Sequence, residues 1–385
     1  MKFYFFHLMP WPYLPEDFRE KHQSAWVTLS NAVYEPSRGT ELYQRYLDEL
    51  VLAEDLGFDG ICVNEHHQTA YGLMPAPNLM AAMLASRTKR IKIAVLGNAL
   101  PLRDHPLRIA EEIAMLDVVS GGRIISGFVR GTGSEFHSFS MNPTISKERF
   151  REAHDLIIRA WTEPGPFQFY GKHYRFRYVN PWPRPLQQPH PPIWFPSQGS
   201  SDTIRMAAEK RYTYCQTYSD IERVKQSFRS VYEAAESFGY QAHPEQIGWA
   251  LPIYVAETDE LAHREARRHL EYFFHYLAHR TVDLFTPTGY VPPQARKRMI
   301  EVRAARFTMT YEELWQKGFF IIGSPQTVVQ QLKEYEKELG VGTLIAFLHF
   351  GSLPHELTVK NLTLFAKEVM PHFRAAKQTS GTVAG

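Results

Sequence analysis

The sequence predicts an α/β protein, a closed (β/α)8 TIM barrel with loop insertions at its C-terminal face. Eight short runs of β-prone, apolar residues alternate with segments of helical spacing, a pattern typical of parallel strands joined by crossover helices. About 250 residues form such a barrel, so a chain of 385 residues leaves room for insertions. Because no linker divides the chain, we expect one domain over residues 1–376 and a disordered tail over 377–385.

The predicted strands are apolar on both faces, as expected when helices cover one face and a packed interior the other. They span residues 2–8, 59–64, 91–100, 123–130, 193–196, 212–217, 247–256 and 342–350. Helical spacing covers residues 41–57, 76–88, 106–120, 146–162, 201–210, 220–239, 257–279, 324–340 and 355–373. The segments at about 9–40 and 280–311 are predicted insertions, and insertions that follow strands lie at the catalytic face of a barrel.

Composition excludes several classes of protein. Lys plus Arg is 43 and Asp plus Glu is 41, and this near balance gives no case for nucleic-acid binding. No apolar run approaches the roughly 18 residues of a membrane span, and the N-terminus lacks the pattern of a signal peptide. Only two cysteines occur, which fits a reducing compartment. We therefore expect a soluble, cytoplasmic protein that binds neither nucleic acid nor membrane.

The first candidate site residues are Asn64-Glu65-His66-His67, where the second strand ends. Successive side chains on a strand point to opposite sides, so the two histidines cannot both face one metal. No third ligand follows at metal-site spacing, and we predict no metal site. At the C-terminal end of a barrel strand, one histidine could act as an acid, a base or a hydrogen-bond donor. The alternative is that both are structural and pair with Glu65 and backbone carbonyls.

Two neighbouring strands end in residues suited to an anion. Arg130 ends the fourth strand and offers a fork of donors to a phosphate or carboxylate; its alternative role is a surface salt bridge. Gly199, Ser200 and Thr203 follow the fifth strand at a helix start. They are ordinary capping residues, or they form an anion site together with the helix N-terminus. Because the strands are neighbours, both groups could reach one phosphate.

Gly97 and Asn98 end the third strand. They permit an unusual backbone and offer an amide to a planar ligand, although a plain turn explains them equally well. The motifs of nucleophile-elbow hydrolases and P-loop nucleotide hydrolases do not occur. The segment after Arg130 lacks the third glycine of a dinucleotide fingerprint, which argues against a nicotinamide site of that kind.

The ordered set of motifs resembles the bacterial luciferase-like monooxygenase family of flavin-dependent enzymes. The motifs are NEHH, LGNALPLRDHPLRIAEEIAMLDVVSGGR, GFVRGTGSEF, PIWFPSQGSSDTIRMAAEKR and GSPQTVVQQL, and the resemblance covers about residues 1–373. It implies a barrel that holds reduced FMN (FMNH2) at its C-terminal mouth. The reactive cysteine of the luciferase subunit is matched by Val129, which argues against light emission.

The same resemblance assigns roles to individual residues. It implies that His66 is catalytic and lies near the flavin ring. It places Arg130 at the flavin phosphate and Gly97 and Asn98 against the isoalloxazine, where many relatives carry a non-proline cis peptide. The remaining phosphate-binding positions that it implies are Gly199, Ser200 and Thr203.

The implied reaction uses reduced FMN and O2, through a C4a-(hydro)peroxyflavin, to oxygenate a small apolar organic substrate in a closed pocket that excludes water. Because the chain lacks a nicotinamide fingerprint, a separate NAD(P)H-dependent flavin reductase would supply the reduced flavin. By analogy, the chain would form a homo-oligomer, either a dimer or a tetramer. One alternative is hydride transfer with the deazaflavin F420, for which the arginines at 296, 298, 303 and 306 would bind the acidic tail. Another is a non-catalytic protein that sequesters flavin.

Overall fold

The centre of the molecule is a closed barrel of eight parallel strands. The computed structural model describes residues 1–374, apart from the side chains of residues 298 and 302–305. The barrel strands pair in the cyclic order β1-β2-β3-β4-β7-β8-β9-β11 and back to β1, which confirms the predicted (β/α)8 fold. The strands are β1 Lys2–Phe6, β2 Gly60–Val63, β3 Lys92–Ala99, β4 Ile124–Val129, β5 Phe167–Tyr170, β6 Arg175–Val179, β7 Ile193–Ser197, β8 Thr213–Thr217, β9 Ile247–Val255, β10 Ile321–Gly323 and β11 Thr343–Phe347.

Helices surround the barrel and follow its strands. They are α1 Phe18–Lys21, α2 Pro36–Asp55, α3 Pro77–Arg87, α4 Leu107–Val119, α5 Gly133–Ser138, α6 Ser146–Thr162, α7 Ser201–Lys210, α8 Ile221–Ser237, α9 Asp259–Tyr272, α10 Val282–Phe285, α11 Pro293–Thr308, α12 Tyr311–Gln316, α13 Pro325–Leu339 and α14 His355–Leu364. Short π-helical segments continue α9 through residue 277 and α14 through residue 369. Across residues 1–374, no helix combines the length and the apolar character needed to cross a bilayer.

Three strands lie outside the eight predicted from the sequence. β5 and β6 form an antiparallel hairpin between α6 and β7, and Glu152 on α6 accepts the backbone N–H groups of its turn, from Lys172 to Tyr174. β10 has three residues and pairs with the C-terminal end of β9. The hairpin strands are largely exposed, and β10 has only three residues, so neither shows the longer buried run that marks a barrel strand.

The two long insertions were predicted as loops, and this prediction is wrong in part. Segment 9–40 contains α1 and the first turn of α2, which begins at Pro36, and segment 280–311 contains α10 and α11. Thr281 caps α10, and Pro293 is the first residue of α11. These local start signals favour short helices even without strong amphipathic spacing. Of the four arginines considered for an F420 tail, the side chains of Arg298 and Arg303 lie outside the described residues, as does the predicted tail 377–385.

Side chains fill the interior of the barrel away from the C-terminal mouth, and a large side chain packs where its neighbour is small. Tyr4 packs edge-on against Trp194 with ring centroids 4.8 Å apart, and a Cβ on Gly60 would lie 2.1 Å from the Tyr4 ring. Cys62 and Cys215 are free and fully buried, and burial raises the pKa of both thiols. Both cysteines act as small apolar side chains here, and a barrel filled at this end receives ligands at the C-terminal mouth.

A buried ion network ties α2 to the end of β1 and to the start of α14. Glu49 is fully buried; it accepts hydrogen bonds from His7 Nε2 at 2.9 Å, Arg45 Nε at 2.8 Å and His355 Nδ1 at 2.9 Å. Burial alone would raise the pKa of Glu49, but the bonds from His355 and His7 lower it well below its usual value. These contacts satisfy a carboxylate that would otherwise be costly to bury.

His7, Glu49 and His349 also have potential metal-ligand atoms within 4.8 Å of one another, the one such group among the described residues. The backbone N–H of Met9 donates to His7 Nδ1 at 2.9 Å, so the neutral ring carries its proton on Nε2 and donates it to Glu49. A protonated ring nitrogen cannot ligate a metal. The contacts therefore favour an ion network over a metal centre.

We expect a buried histidine on α9 to make folding sensitive to acid. Burial, with Arg268 beside it, lowers the pKa of His269 to about 4. Between pH 6.5 and pH 4 the unfolded chain binds a proton that the native chain does not. The free energy of unfolding therefore decreases as the pH is lowered, by about 3 kcal/mol for this group. Urea denaturation across this pH range should give a shallower dependence for His269→Gln.

The same substitution at the exposed His372 serves as the control and should leave the pH dependence unchanged. Parallel pH profiles for the wild type and His269→Gln would show that this histidine does not govern acid sensitivity.

Candidate active site

All of the predicted site residues lie at one end of four adjacent barrel strands. β2, β3, β4 and β7 are consecutive neighbours in the sheet, and the predicted residues lie in or directly after their C-terminal ends. Segment 280–311 covers this end, since Tyr290 contacts Arg130 and the backbone of Phe285 lies next to Gly133. The arrangement forms the mouth of the barrel.

Gly97 lies where β3 and β4 approach each other most closely. The Leu96–Gly97 peptide bond is cis, and the pairing register of β3 with β4 shifts between Val95 and Asn98. A Cβ on Gly97 would lie 2.4 Å from the carbonyl carbon of Gly127. Only glycine fits this position without moving the backbone of the next strand.

Asn98 lies beside Gly97 and is almost fully buried. Its amide nitrogen donates to Asn78 Oδ1 at 3.2 Å, and Asn78 in turn donates to Glu112 at 2.8 Å. This chain of hydrogen bonds holds the Asn98 amide in one orientation at the end of β3. Its role toward a planar ligand stays a prediction.

His66 is held by a buried carboxylate that the sequence analysis did not single out. The Nδ1 atom of His66 lies 2.7 Å from Oε1 of Glu135, which is 1% exposed. A carboxylate only accepts, so the ring carries its proton on Nδ1, and in the neutral imidazole Nε2 is the acceptor. The other oxygen of Glu135 accepts the backbone N–H of Thr132 at 2.6 Å and completes a capping box at the start of α5.

His67 fills the structural role that was the alternative for both histidines. Its Nε2 lies 2.7 Å from Glu65 Oε1, and Glu65 Oε2 accepts the backbone N–H of Ala99 at 3.2 Å and Arg103 Nη2 at 2.8 Å. Glu65 thereby connects the end of β2 to the end of β3. The two histidines of the motif therefore pair with different carboxylates.

Aromatic side chains from the first insertion and the β2 loop surround His66. Trp26 and Tyr71 make T-shaped contacts with the imidazole, with ring centroids 5.1 and 5.0 Å away. The indole N–H of Trp26 donates to the carbonyl of Leu277 at 2.8 Å. Trp26 of the first insertion thus packs directly against His66.

Arg130 contacts the cover of the barrel. Its guanidinium lies over the Tyr290 ring, 3.9 Å from the centroid, and Nη1 donates to the Tyr290 carbonyl at 3.0 Å. The Tyr290 hydroxyl donates to the Gly131 carbonyl at 2.8 Å. Arg130 therefore joins the end of β4 to segment 280–311 as well as facing the start of α7.

A basic pocket lies between β4, α6 and the start of α7. The predicted residues Arg130, Ser200 and Thr203 line it together with Lys147 and Arg151 on α6, which the sequence analysis missed. The Ser200 hydroxyl accepts the backbone N–H of Thr203 at 3.5 Å and caps α7.

The acidic residue of this pocket, Asp202, is paired with Lys147 at 2.5 Å. That ion pair lowers the pKa of Asp202, and Arg151 and Arg130 contribute further. Three cations and one carboxylate leave a net charge of +2 at the start of a ten-residue helix. This charge matches a phosphate monoester dianion.

Gly199 precedes the capping serine with φ +86°, a conformation that favours glycine. Its N–H donates to the Tyr214 hydroxyl at 3.0 Å, and its carbonyl accepts from Arg223 Nη2 at 2.6 Å. These bonds shape the turn that leads into α7. They also occupy the backbone N–H of Gly199, so its part in a phosphate site is to form the turn.

The sequence model of the luciferase-like monooxygenase family matches residues 23–342. The chain belongs to this family. The oxygenase component of flavin-dependent trigonelline monooxygenase from Acinetobacter baylyi (strain ATCC 33305 / BD413 / ADP1) is 27% identical over 349 residues, which cover 88% of this chain and 91% of that protein.

Solved structures with the same fold include oxygen-using and F420-using enzymes. A monooxygenase of Streptomyces bottropensis superposes with a TM-score of 0.74 at 24% identity, over 97% of this chain and all of that one. The FMN complex of the oxygenating constituent of 3,6-diketocamphane monooxygenase from Pseudomonas putida gives 0.71 at 22% identity, over 86% and 93%. An F420-dependent secondary alcohol dehydrogenase gives 0.68 at 15%, over 97% and 99%.

Sequence reasoning missed several site residues of this family member. Glu135 was detectable, because Thr132 and Glu135 have the spacing of a capping box. Lys147 and Arg151 are one helical turn apart at the start of α6, so they share a face. The sequence analysis considered Arg306 only for an F420 tail and did not single out Arg280, and the Nε atoms of both arginines are buried in segment 280–311.

We expect Gly97→Ala to destabilise the protein by about 3 kcal/mol, because the added methyl group collides with the backbone of β4 and forces the two strands apart. Urea denaturation gives the free energy of unfolding.

The control is Gly121→Ala, where φ is +68° and nothing lies within 4 Å of the new Cβ. That change should cost only about 1 kcal/mol of backbone strain. Equal losses at the two positions would contradict the close-approach argument.

Proposed function

We propose that this luciferase-like monooxygenase binds reduced FMN at its barrel mouth and uses O2 to oxygenate a small organic substrate with an apolar body. The observation that carries the proposal is the combination, at one end of the barrel, of a phosphate-sized basic pocket and a carboxylate-held histidine. When bound, reduced FMN supplies the chemistry that activates oxygen for insertion into the substrate.

The basic pocket fits the phosphate end of FMN. Arg130 and Lys147 supply charge, and Ser200 and Thr203 supply hydroxyl groups at the helix start. Asn98 and the glycine-dependent close approach at Gly97 lie at the adjacent strand end, where we propose that the ring system is held. The donor set thus offers a charged end for a phosphate and an amide for a ring.

The pair of His66 and Glu135 can hold or move a proton at the reacting end. Glu135 fixes the imidazole tautomer, so Nε2 can accept a proton from a substrate or cofactor atom in the mouth and return it later. The resulting imidazolium would be stabilised by the buried carboxylate 2.7 Å away. We propose this proton transfer at Nε2 as the role of His66.

The aromatic walls and segment 280–311 would exclude water from the mouth. Trp26 and Tyr71 are buried beside His66, and the contacts of Tyr290 and Phe285 hold the cover against α5. Such exclusion is what oxygen chemistry on a reduced flavin requires, since water and protons divert it to hydrogen peroxide. By excluding water, the cover would couple the consumption of O2 to oxygenation of the substrate.

Supply of reduced flavin belongs to the same proposal. The trigonelline enzyme is named as an oxygenase component, and by analogy we propose a separate NAD(P)H-dependent flavin reductase as the partner of this chain. We further propose a homo-oligomer, dimeric or tetrameric, in the cytoplasm, where the two buried thiols would stay reduced.

F420-dependent hydride transfer is the second candidate, favoured by the fold shared with the alcohol dehydrogenase. One of the arginines considered for its acidic tail is engaged elsewhere. Arg296 pairs with Asp283 at 2.8 Å and donates to the Thr286 carbonyl. These contacts favour FMN, and a direct comparison of FMN and F420 binding decides between the two cofactors.

Arg130→Ala should weaken FMN binding by about 1.5–3 kcal/mol, because a charge-assisted bond to the phosphate is lost. Riboflavin has no phosphate, so its affinity for the wild type should already be low and should not change in the variant. Flavin fluorescence titration measures both affinities. Equal binding of FMN and riboflavin to the wild type would exclude the phosphate site.

His66→Ala should retain FMN affinity and lower turnover at least about 100-fold, the scale of general acid–base catalysis. Glu135→Gln should also lower turnover, and the double variant should be no worse than His66→Ala, because the two residues act as a unit. Product formation from a panel of aldehydes, ketones and ring compounds measures turnover.

Full turnover in His66→Ala would remove the histidine from the mechanism. FMN binding without turnover of any panel compound by the wild type would favour the flavin-sequestering alternative.

A further inference from the structure

Two arginines whose Nε atoms are buried converge on the mouth beside the His66–Glu135 pair. Arg280 is 7% exposed, and its Nη1 donates to Thr132 Oγ1 at 3.3 Å. Arg306 donates from Nη1 to the Tyr218 carbonyl at 3.1 Å. The Nε atoms of both arginines are buried and have no hydrogen-bond partner among the residues that the structure describes. Each guanidinium therefore keeps an unused donor.

The charges of these arginines are not compensated by ion pairs within the described part of the chain. Burial lowers the pKa of Arg280 to about 10, and Arg306 beside it adds to the effect. Glu135 acts on Arg280 through space, and Asp220 acts on Arg306. The oxygens of Glu135 are taken by His66 and Thr132, and Asp220 accepts the backbone N–H of Arg223. Within the described residues neither arginine is therefore in ion-pair contact with a carboxylate, and the carboxylate of a ligand would supply that contact.

The surroundings of the arginines are aromatic. The Arg280 guanidinium stacks over Trp26 at 4.0 Å and Phe285 at 4.2 Å from the ring centroids. Tyr71 and Tyr218 also face these cations. Unused donors in an apolar setting suit a ligand with an acidic head and an apolar body.

The position of Arg280 indicates where the acidic head would lie. Trp26 contacts both groups: the Arg280 guanidinium lies 4.0 Å from its ring centroid, and the His66 ring is T-shaped to it with centroids 5.1 Å apart. Arg280 and His66 therefore pack against the same indole. A ligand whose charged end meets Arg280 would extend its body along Trp26 toward His66.

We propose that Arg280 and Arg306 bind the carboxylate of the substrate, so that this enzyme acts on small organic monoanions with an apolar, ring-sized body. This inference rests on the proposed flavin-dependent function. It specifies that the substrate has a carboxylate in addition to its apolar body. A planar guanidinium fork matches the two oxygens of a carboxylate. The basic pocket at Arg130, built from other residues, remains available to the flavin phosphate.

The test compares acids with their neutral amides on the FMN-loaded protein. The probes are benzoate, phenylacetate and cyclohexanecarboxylate, each beside its amide, with affinity measured by calorimetry. We expect at least one acid to bind ten-fold or more tightly than its amide. In Arg280→Gln and in Arg306→Gln this preference should disappear, whereas Arg296→Gln, whose arginine pairs with Asp283, should retain it.

Arg280→Lys provides a second variant in case the glutamine variant does not fold. It keeps the charge without the fork, and we expect a reduced preference for the acid. Circular dichroism and FMN affinity of each variant verify that the barrel and the cofactor site are intact.

Absence of any acid preference in the FMN-loaded wild type overturns the inference, and so does a preference that survives both glutamine variants. Loss of the preference only in Arg130→Gln would place the anion in the phosphate pocket and would also overturn it. Failure of the wild type to bind FMN would instead contradict the proposed function, which keeps the two failures distinct.

Discussion

The carboxylate of Glu135 is the interaction on which the arrangement of the mouth depends. One oxygen holds the imidazole of His66 after β2, and the other accepts the Thr132 N–H and begins α5. The start of α5 then positions Thr132 against Arg280 and Gly133 against the backbone of Phe285. A single buried acid thus connects a barrel strand, a short helix and the cover, so the orientation of the histidine and the closure of the mouth are coupled.

Closure of the barrel supplies the frame for this interaction. The residues of the mouth are far apart in the chain, but they follow strands that are neighbours in a parallel sheet, and such strands end at the same edge. The close approach of Gly97 and Gly127 sets the spacing of β3 and β4 in the middle of this edge. Side chains packed at the opposite end of the barrel leave the mouth as the place for a ligand.

Buried charges follow two patterns in this chain. Glu49 and Glu65 each receive hydrogen bonds from several cationic or backbone donors, and they connect neighbouring elements. The Nε atoms of Arg280 and Arg306 are also buried, but they have no hydrogen-bond partner among the described residues. Because an unpaired buried charge is costly, the first pattern serves stability, while the second is consistent with a ligand that completes the site.

The sequence alone determined the barrel, its eight strands and the family, because alternating apolar runs and ordered motifs are local patterns that survive without a structure. It also placed Arg130, Ser200 and Thr203 near one another, since they follow adjacent strands. Only the tertiary structure decided which histidine meets Glu135, 69 residues away. It also brought Arg280 and Arg306 into the mouth, because the burial of a charge depends on what folds over it and no local spacing encodes that contact.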